Sequence, residues 1–199
     1  MCEIRDAGVL GKGVFALRAI SQGEIIHMLA GPSMSTAQLV RRVLTGGEAM
    51  DDPLQVGRRT YIDLDEISRC FNHSCRPNGG LRKRSELFAL RDIAAGEQIT
   101  YDYSTTIAPT VWEMRCTCGV PECRRQIGDI GTIPRDQLDY YKQRGAIQRY
   151  LRPLLDEIKN GSYQIPEYEI RALLALGYSH EAIQARVRTL ASPMKGRKR

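Results

Sequence analysis

The segment CFNHSCRPN, residues 70–78, concentrates an amide, an imidazole, a hydroxyl and two thiols within nine positions. These groups allow three interpretations: a metal site, a nucleophile with its base, or a polar turn. Ser74 is adjacent to His73, so in an extended chain these two side chains point to opposite sides. Because a nucleophile must lie within hydrogen-bonding reach of its base, hydrolytic chemistry is the least favoured of the three.

A second cluster of reactive groups is CTCGVPEC, in which Cys116, Cys118 and Cys123 lie on a turn-forming stretch. A structural zinc ion requires four ligands in a tetrahedron, so a fourth must come from elsewhere. The candidates are Cys2, Cys70, Cys75 and the three histidines. Plain buried thiols or a redox pair are the alternative, but this spacing is more specific than a lone C-x-x-C and favours zinc. Cys75 is an attractive fourth ligand because it also lies in a turn.

The composition indicates an ordinary globular protein. Of the 199 residues, 42% are hydrophobic and 26% are charged, and no stretch approaches the roughly 18 consecutive apolar residues of a membrane span. The first residues, MCEIRDAG, are polar and do not resemble a signal peptide. We therefore expect an intracellular protein without a membrane partner, whose cysteines stay reduced.

The net charge of +6 comes from 29 basic and 23 acidic residues, and four of the basic residues lie in the tail KGRKR, residues 195–199. Such a tail is most often a solvated chain end. The alternative is an attraction to nucleic acid or to an acidic partner. The remainder of the chain is nearly balanced in charge, so the composition alone does not indicate a nucleic-acid-binding protein.

The first 130 residues contain short apolar runs rich in β-branched and aromatic residues, which predict strands. A polar, glycine-containing turn joins GVFALRAI to EIIHMLAG, and a similar turn joins ELFALRDI to EQITYDY. We find no internal repeat. Residues 35–48 predict one isolated helix, with Ser35 or Thr36 as its N-cap.

The pattern changes to helical spacing after residue 130. Apolar residues between 147 and 158 fall on one helical face, and Pro153 should kink or restart that helix. Two further helices are expected, one from Pro166 to Gly177 and one capped by Ser179. The predicted fold is therefore a mainly β body with an α extension.

Four segments in order, GKGVFALRAISQGEII, RCFNHSCRPN, GEQITYDY and CTCGVPECR, together resemble the SET-domain protein-lysine methyltransferases with a cysteine-rich post-SET segment. The resemblance covers about residues 3–128. It implies a SET domain over 1–114, a post-SET zinc segment over 115–130, and a helical extension with a basic tail over 131–199. The extension has no counterpart in the family pattern.

The resemblance also implies a site. In the family, the NHSC segment is threaded beneath a neighbouring loop in a knot-like crossing and holds S-adenosylmethionine (SAM). Carried over, the cofactor-binding residues are Lys12, Gly13, Val14, Arg69, Asn72 and His73. The zinc ligands are Cys75, Cys116, Cys118 and Cys123. Tyr103 would lie at the transfer point, and Tyr101 and Tyr61 would wall the lysine channel.

The implied function is SAM-dependent methylation of a lysine amine in a protein substrate, histones being the best-known targets of the family, in the cytoplasm or on nuclear chromatin. One alternative is a DNA- or partner-binding module on a SET scaffold. LLALGYSHEAIQARV has the outline of a helix-turn-helix, although a hairpin packed over the post-SET region is the preferred interpretation. A second is an inactive scaffold, in which the tyrosines only pack a sheet. The presence of Asn72, His73 and Tyr103 argues against it.

Overall fold

The computed structural model describes residues 1–47 and 52–191. The strands are β1 (Cys2–Asp6), β2 (Lys12–Ala16), β3 (Ile25–Met28), β4 (Ser33–Ser35), β5 (Leu54–Gly57), β6 (Thr60–Ile62), β7 (Asn72–His73), β8 (Gly79–Arg82), β9 (Glu86–Ala89), β10 (Gln98–Tyr101), β11 (Met114–Arg115) and β12 (Gln126–Ile127). The α-helices are α1 (Thr36–Leu44), α2 (Glu66–Arg69), α3 (Arg135–Gln143), α4 (Arg152–Lys159), α5 (Glu167–Ala175) and α6 (His180–Ala191). The predicted mainly β body with an α extension is confirmed.

The strands form small sheets rather than one large one. The first has the order β1-β2-β10-β7, the second β3-β9-β8 and the third β4-β6-β5, while β11 and β12 make a separate pair. The first two sheets pack their apolar faces together, and Val14, Leu81, Leu87 and Ile99 are completely buried there. This shared core fixes the strand ends that carry the reactive residues.

The strands on either side of each predicted glycine turn, β2 with β3 and β9 with β10, do not pair with each other. The chain leaves the first sheet after β2 and enters the second at β3, and it returns from β9 to β10. Both predicted glycine turns are present, but each connects two sheets instead of closing a hairpin. Ile20 and Ile93, one from each connection, form an isolated bridge that joins the two turns.

The two connections are copies of one local structure. VFALRAISQGEII and LFALRDIAAGEQI match at most positions, and Arg18–Glu24 and Arg91–Glu97 form equivalent ion pairs, each at 2.5 Å. Each glutamate also accepts a hydrogen bond, at 3.1 Å, from the backbone N–H three residues earlier. The expectation that the chain has no internal repeat is therefore wrong.

The helix ends follow the capping residues. The Ser35 hydroxyl accepts a hydrogen bond from the N–H of Gln38, at 3.3 Å, and forms a capping box with it. Pro153 lies in the first turn of α4, after a short 3₁₀ turn, so the helix restarts there. Ser179 caps α6 by accepting from the N–H of Ala182 at 3.1 Å. These predicted helix boundaries are confirmed.

The C-terminal helices share a core with the β body. Phe88 and Leu90 of the second sheet pack in one apolar cluster with residues of α3, α4, α5 and α6. Helix α5 contacts α1, and the Tyr150 hydroxyl donates to the carbonyl oxygen of Thr106. The extension therefore packs against the SET-like body itself and not only over the post-SET region. Across the described residues, no helix combines the length and the apolar character that crossing a membrane requires.

Candidate cofactor pocket and cysteine cluster

The NHSC segment lies against the end of β10. Asn72 and His73 pair in parallel with Thr100 and Tyr101, and the N–H of Ser74 donates to the carbonyl oxygen of Tyr101 at 3.2 Å. This is the only parallel pairing among the strands described above. It brings two segments that are 28 residues apart in sequence into one short ladder.

Asn78 fixes the far end of the same segment. Its buried side-chain amide donates to Glu97 Oε1 at 3.0 Å and to the carbonyl oxygen of Gln98 at 2.8 Å, and its Oδ1 accepts from the N–H of Thr100 at 2.9 Å. One asparagine thus satisfies three partners along β10. A buried amide with fully paired groups is costly to replace, which explains an asparagine at the end of the CFNHSCRPN run.

The two tyrosines of YDY lie together. The ring centroids of Tyr101 and Tyr103 are 4.8 Å apart, and the rings are inclined at 46°. The Tyr103 hydroxyl donates to the carbonyl oxygen of Phe71 at 2.9 Å. Burial raises the pKa of Tyr101 well above its usual value, and that of Tyr61 is raised for the same reason. These hydroxyls therefore stay protonated near neutral pH.

One cavity of about 320 Å³ connects the predicted residues. Tyr61, Tyr101 and Tyr103 line it, together with the predicted cofactor residues Arg69, Asn72 and His73. Small-molecule sites have volumes of about 300–1,000 Å³, so the cavity is large enough for a cofactor.

The other predicted cofactor residues lie in β2, beside this cavity. The Asn72 side-chain amide donates to the carbonyl oxygen of Lys12 at 2.9 Å. A Cβ at Gly13 would come within 2.3 Å of Gln98 Nε2 and 3.2 Å of Asn72 Nδ2, so only glycine fits there. Val14 is completely buried in the core. These residues can offer a ligand their backbone, while the Lys12 side chain pairs with Glu66 at the surface.

The Arg69 guanidinium forms ion pairs with two carboxylates. Its guanidinium is 2.7 Å from Asp52 Oδ2, pairs with Asp63, and donates from Nε to the carbonyl oxygen of Leu64. These contacts connect α2 to the segment before it. Arg69 therefore shapes the cavity wall through a network of ion pairs.

Three of the four predicted zinc ligands, Cys75, Cys116 and Cys118, converge with His73, and Cys123 lies outside this group. Ligand atoms of His73, Cys75, Cys116 and Cys118 all lie within 4.8 Å of one another, and the sulfurs of Cys75 and Cys116 are 3.7 Å apart. The Cys123 thiol donates to the carbonyl oxygen of Cys116 at 3.6 Å and is close enough to Cys118 to influence its pKa. The other two cysteines lie elsewhere: Cys70 Sγ donates to the carbonyl oxygen of Glu66 at 3.1 Å, and Cys2 is in β1.

The imidazole of His73 has a hydrogen-bonding role that conflicts with metal ligation. The N–H of Tyr103 donates to His73 Nδ1 at 3.2 Å, and Nε2 lies 3.3 Å from Cys75 Sγ. Burial lowers the pKa of His73 to about 4, so the ring is neutral at pH 7. Since Nδ1 accepts, the single ring proton is on Nε2 and points at the sulfur. The chemistry of the donors therefore fits a four-cysteine zinc site with His73 as a hydrogen-bond donor to it.

The surroundings of Cys118 favour its thiolate form. Burial opposes its ionisation, but the N–H groups of Cys75 and Val120 and the thiols of Cys116 and Cys123 donate to its sulfur and lower its pKa to about 7. Burial raises the pKa of Cys116. A thiolate surrounded by donors is the form that binds zinc.

A buried carboxylate joins the cysteine cluster to the tyrosine strand. Asp102 lies between the two tyrosines, and its Oδ1 is 2.6 Å from Arg124 Nη2. Arg124 also donates from Nε to Cys75 Sγ at 3.4 Å. The Tyr141 hydroxyl of α3 donates to Asp102 Oδ2 at 3.2 Å. We call Asp102, Arg124 and Tyr141 the latch, because they connect β10, the cysteine loop and the helices.

Comparison with known proteins identifies a known domain within the chain. The SET domain family matches residues 11–104. The chain contains a SET domain. Two solved structures share this fold. The methyltransferase domain of human histone-lysine N-methyltransferase SETMAR aligns with a TM-score of 0.53 and 22% sequence identity, over 64% of this chain and 58% of that chain. KRYPTONITE in complex with mCHG DNA and SAH aligns with a TM-score of 0.50 and 22% sequence identity, over 63% of this chain and 28% of that chain.

Curated relatives match somewhat more than half of this chain and are much longer proteins. The variant-silencing SET domain-containing protein of Plasmodium falciparum is 34% identical over 138 residues, 61% of this chain and 5% of that protein. The H3 lysine-4 specific histone-lysine N-methyltransferase of Saccharomyces cerevisiae is 35% identical over 127 residues, 56% of this chain and 12% of that protein. The chain thus spans a small part of the relatives that it matches.

The SET domain's cavity also contains residues that the sequence analysis did not select. Gln55, Trp112 and Glu169 line it. Gln55 is buried and its Oε1 accepts from the N–H of Ala108 at 2.9 Å. Trp112 is the only tryptophan of the chain, and this rarity could have marked it as a candidate site residue. Glu169 lies in the helical extension, and its sequence surroundings gave no indication of this position.

The latch yields a stability prediction. We expect Arg124→Met to lower the free energy of unfolding by about 3–5 kcal/mol, because it leaves the buried Asp102 carboxylate without its counter-charge. Arg76→Met is the matched control, since Arg76 pairs with Glu122 at 2.6 Å on the surface and should change little. Urea denaturation of the zinc-saturated proteins measures both. Equal small losses in the two variants would show that the latch does not hold the fold.

Proposed function

We propose that this chain is a protein-lysine N-methyltransferase that uses SAM as methyl donor. The observation that carries the proposal is one cavity of the SET domain that contains both the Asn72–His73 segment and the tyrosine pair. Relatives that match this domain are named histone-lysine N-methyltransferases, and the KRYPTONITE structure of the same fold is described as a complex with SAH.

Backbone groups of Lys12, Gly13 and Val14 and the side chains of Arg69, Asn72 and His73 would hold SAM, which supplies a methyl group activated by a sulfonium. The volume of the cavity supports this assignment. Asn72 is positioned for it by its hydrogen bond to Lys12. The ladder between β7 and β10 keeps these groups next to the tyrosines.

The tyrosines would prepare the lysine. The amine must be neutral to act as a nucleophile, although its usual pKa is about 10.4. A narrow channel with aromatic walls disfavours the ammonium form. Tyr103, held by the carbonyl of Phe71, would orient the reacting groups at the transfer point, and Tyr101 and Tyr61 would form the walls. Because Tyr101 carries a hydroxyl that can bind the amine, we expect mono- or dimethyl products.

The substrate in this proposal is a protein that carries the target lysine, with histones or histone-like proteins as the first class to test. We expect it inside the cell, in the cytoplasm or on chromatin. The tail proposed to attract nucleic acid lies outside the described residues.

The alternative of a DNA-binding module gains no support from α6. Arg186, one of its few candidates for reading bases, is 2.5 Å from the buried carboxylate of Asp129 and donates to the carbonyl oxygen of Thr110. It is thus engaged inside the protein.

The tyrosine roles predict distinct phenotypes. Tyr103→Phe should nearly abolish methyl transfer while SAM still binds with micromolar affinity, because only the orienting hydroxyl is lost. Tyr101→Phe should shift the products towards higher methylation states. Tyr140→Phe, which changes a partly exposed tyrosine of α3, is the control. Mass spectrometry of modified protein and calorimetry with SAM measure these effects. Full activity of Tyr103→Phe, or mainly trimethyl-lysine from the wild type, would contradict the assigned roles.

The cysteine cluster predicts one zinc ion per chain. Cys118→Ser and Cys123→Ser should lose the metal, whereas Cys70→Ser and Cys2→Ser should retain it. In the cobalt-substituted protein, His73→Asn should leave the absorption of four thiolate ligands unchanged, because His73 is expected to donate to Cys75 and not to bind the ion. Metal analysis after dialysis measures the stoichiometry. Zinc retained by Cys123→Ser but lost by His73→Asn would reverse this assignment.

A further inference from the structure

We propose that Glu169 of α5 is a specificity-determining residue that receives a basic side chain of the protein substrate, at a position close to the methylated lysine. The inference rests on the proposed function and adds a substrate class to it. Residues 11–104 match the SET family, so a carboxylate from α5 is a contribution of the helical extension to the pocket.

The position of Glu169 in the wall of the pocket is fixed by its neighbour. Tyr168 donates from its hydroxyl to the carbonyl oxygen of Arg58 at 3.1 Å, and the guanidinium of Arg59 lies 4.7 Å from the centroid of its ring. These contacts fasten α5 to the turn between β5 and β6. Glu169, the next residue, lines the same cavity as Tyr61, Tyr101 and Tyr103. A helix held in this way presents its side chain in a defined place.

The Glu169 carboxylate lacks a counter-charge. Among residues 1–47 and 52–191, no hydrogen bond or ion pair to it is found. Asp129 and Arg58 are the charged groups that act on it, and Arg58 is 3.6 Å from Glu157, with which it pairs. Four tyrosines are close enough for the carboxylate to raise their pKa values: Tyr61, Tyr150, Tyr163 and Tyr168.

This environment makes the carboxylate costly without a partner. Burial, together with the like charge of Asp129, raises the pKa of Glu169 to about 8, against the opposing effect of Arg58. Glu169 is only partly exposed, and its burial disfavours the charged form of the carboxylate. A bound cation would offset this cost and return the group to its charged form. The free protein therefore has a site whose missing component is a positive charge.

The occupant should be a side chain other than the reacting lysine. A carboxylate next to the reacting amine would favour its ammonium form and oppose transfer. A flanking arginine has no such conflict, because it stays charged and can bind a carboxylate with two parallel hydrogen bonds.

A peptide library tests the proposal. Each peptide has one central lysine, and each flanking position is in turn arginine, alanine or glutamate. With radiolabelled SAM, the wild type should prefer arginine to alanine at one position by about tenfold in kcat/KM, as expected for a charge-assisted hydrogen bond of about 1.4 kcal/mol. Glu169→Gln should lose that preference while it retains activity towards the alanine peptides. Glu169→Arg should prefer glutamate at the same position.

Glu167→Gln is the matched control. Glu167 lies two residues earlier on α5 and pairs with Arg171 at the surface, so the variant should keep the arginine preference. An unchanged preference in Glu169→Gln would overturn the inference while leaving the proposed function intact. Failure of the wild type to label any peptide, or any protein of a lysate, would overturn the proposed function and the inference with it.

A binding measurement provides a readout without turnover. The preferred peptide, with its central lysine replaced by methionine, is titrated at pH 7 in two buffers of different ionisation enthalpy. Binding should release close to one proton in the wild type, because the cation deprotonates Glu169, and none in Glu169→Gln. Binding without proton release in the wild type would contradict the proposed contact.

Discussion

The arrangement of the site depends on one buried ion pair, that of Asp102 with Arg124. Asp102 lies between Tyr101, the last residue of β10, and Tyr103, and Arg124 follows the last cysteine of the post-SET loop. The pair therefore fastens the loop that carries three of the four sulfurs to the strand that carries the proposed catalytic groups. A buried pair costs much if one partner is removed, so the pocket and the cysteine cluster should form together or not at all.

The helical extension forms part of the wall of the pocket. Tyr141 of α3 donates to the same carboxylate, and α5 reaches the far wall of the cavity with Glu169. The family match ends at residue 104, so the matched part contains the tyrosines and the residues proposed to hold the cofactor. The extension supplies a second wall, where a difference in substrate choice is expected to reside.

Local sequence signals predicted what local chemistry determines. Ser35 and Pro153 marked helix starts correctly, and the NHSC and cysteine motifs predicted two clusters that the structure brings together. Strand partners could not be predicted, because apolar runs specify a strand but not which strand it pairs with. The role of His73 depends on an N–H that arrives from Tyr103, 30 residues later. The sequence around Glu169 indicates only a helix, and it is tertiary packing that places this residue in the wall of the cavity.

The central claim is that one pocket, closed by the cysteine loop, binds SAM beside the tyrosine pair. Hydrogen–deuterium exchange of the zinc-loaded protein with and without SAM tests it most directly. We expect SAM to slow exchange in residues 12–16, 72–78 and 114–118, which form or border the cavity, and to leave β3 unchanged. Slowed exchange elsewhere, or no change in these three segments at saturating SAM, would contradict the account.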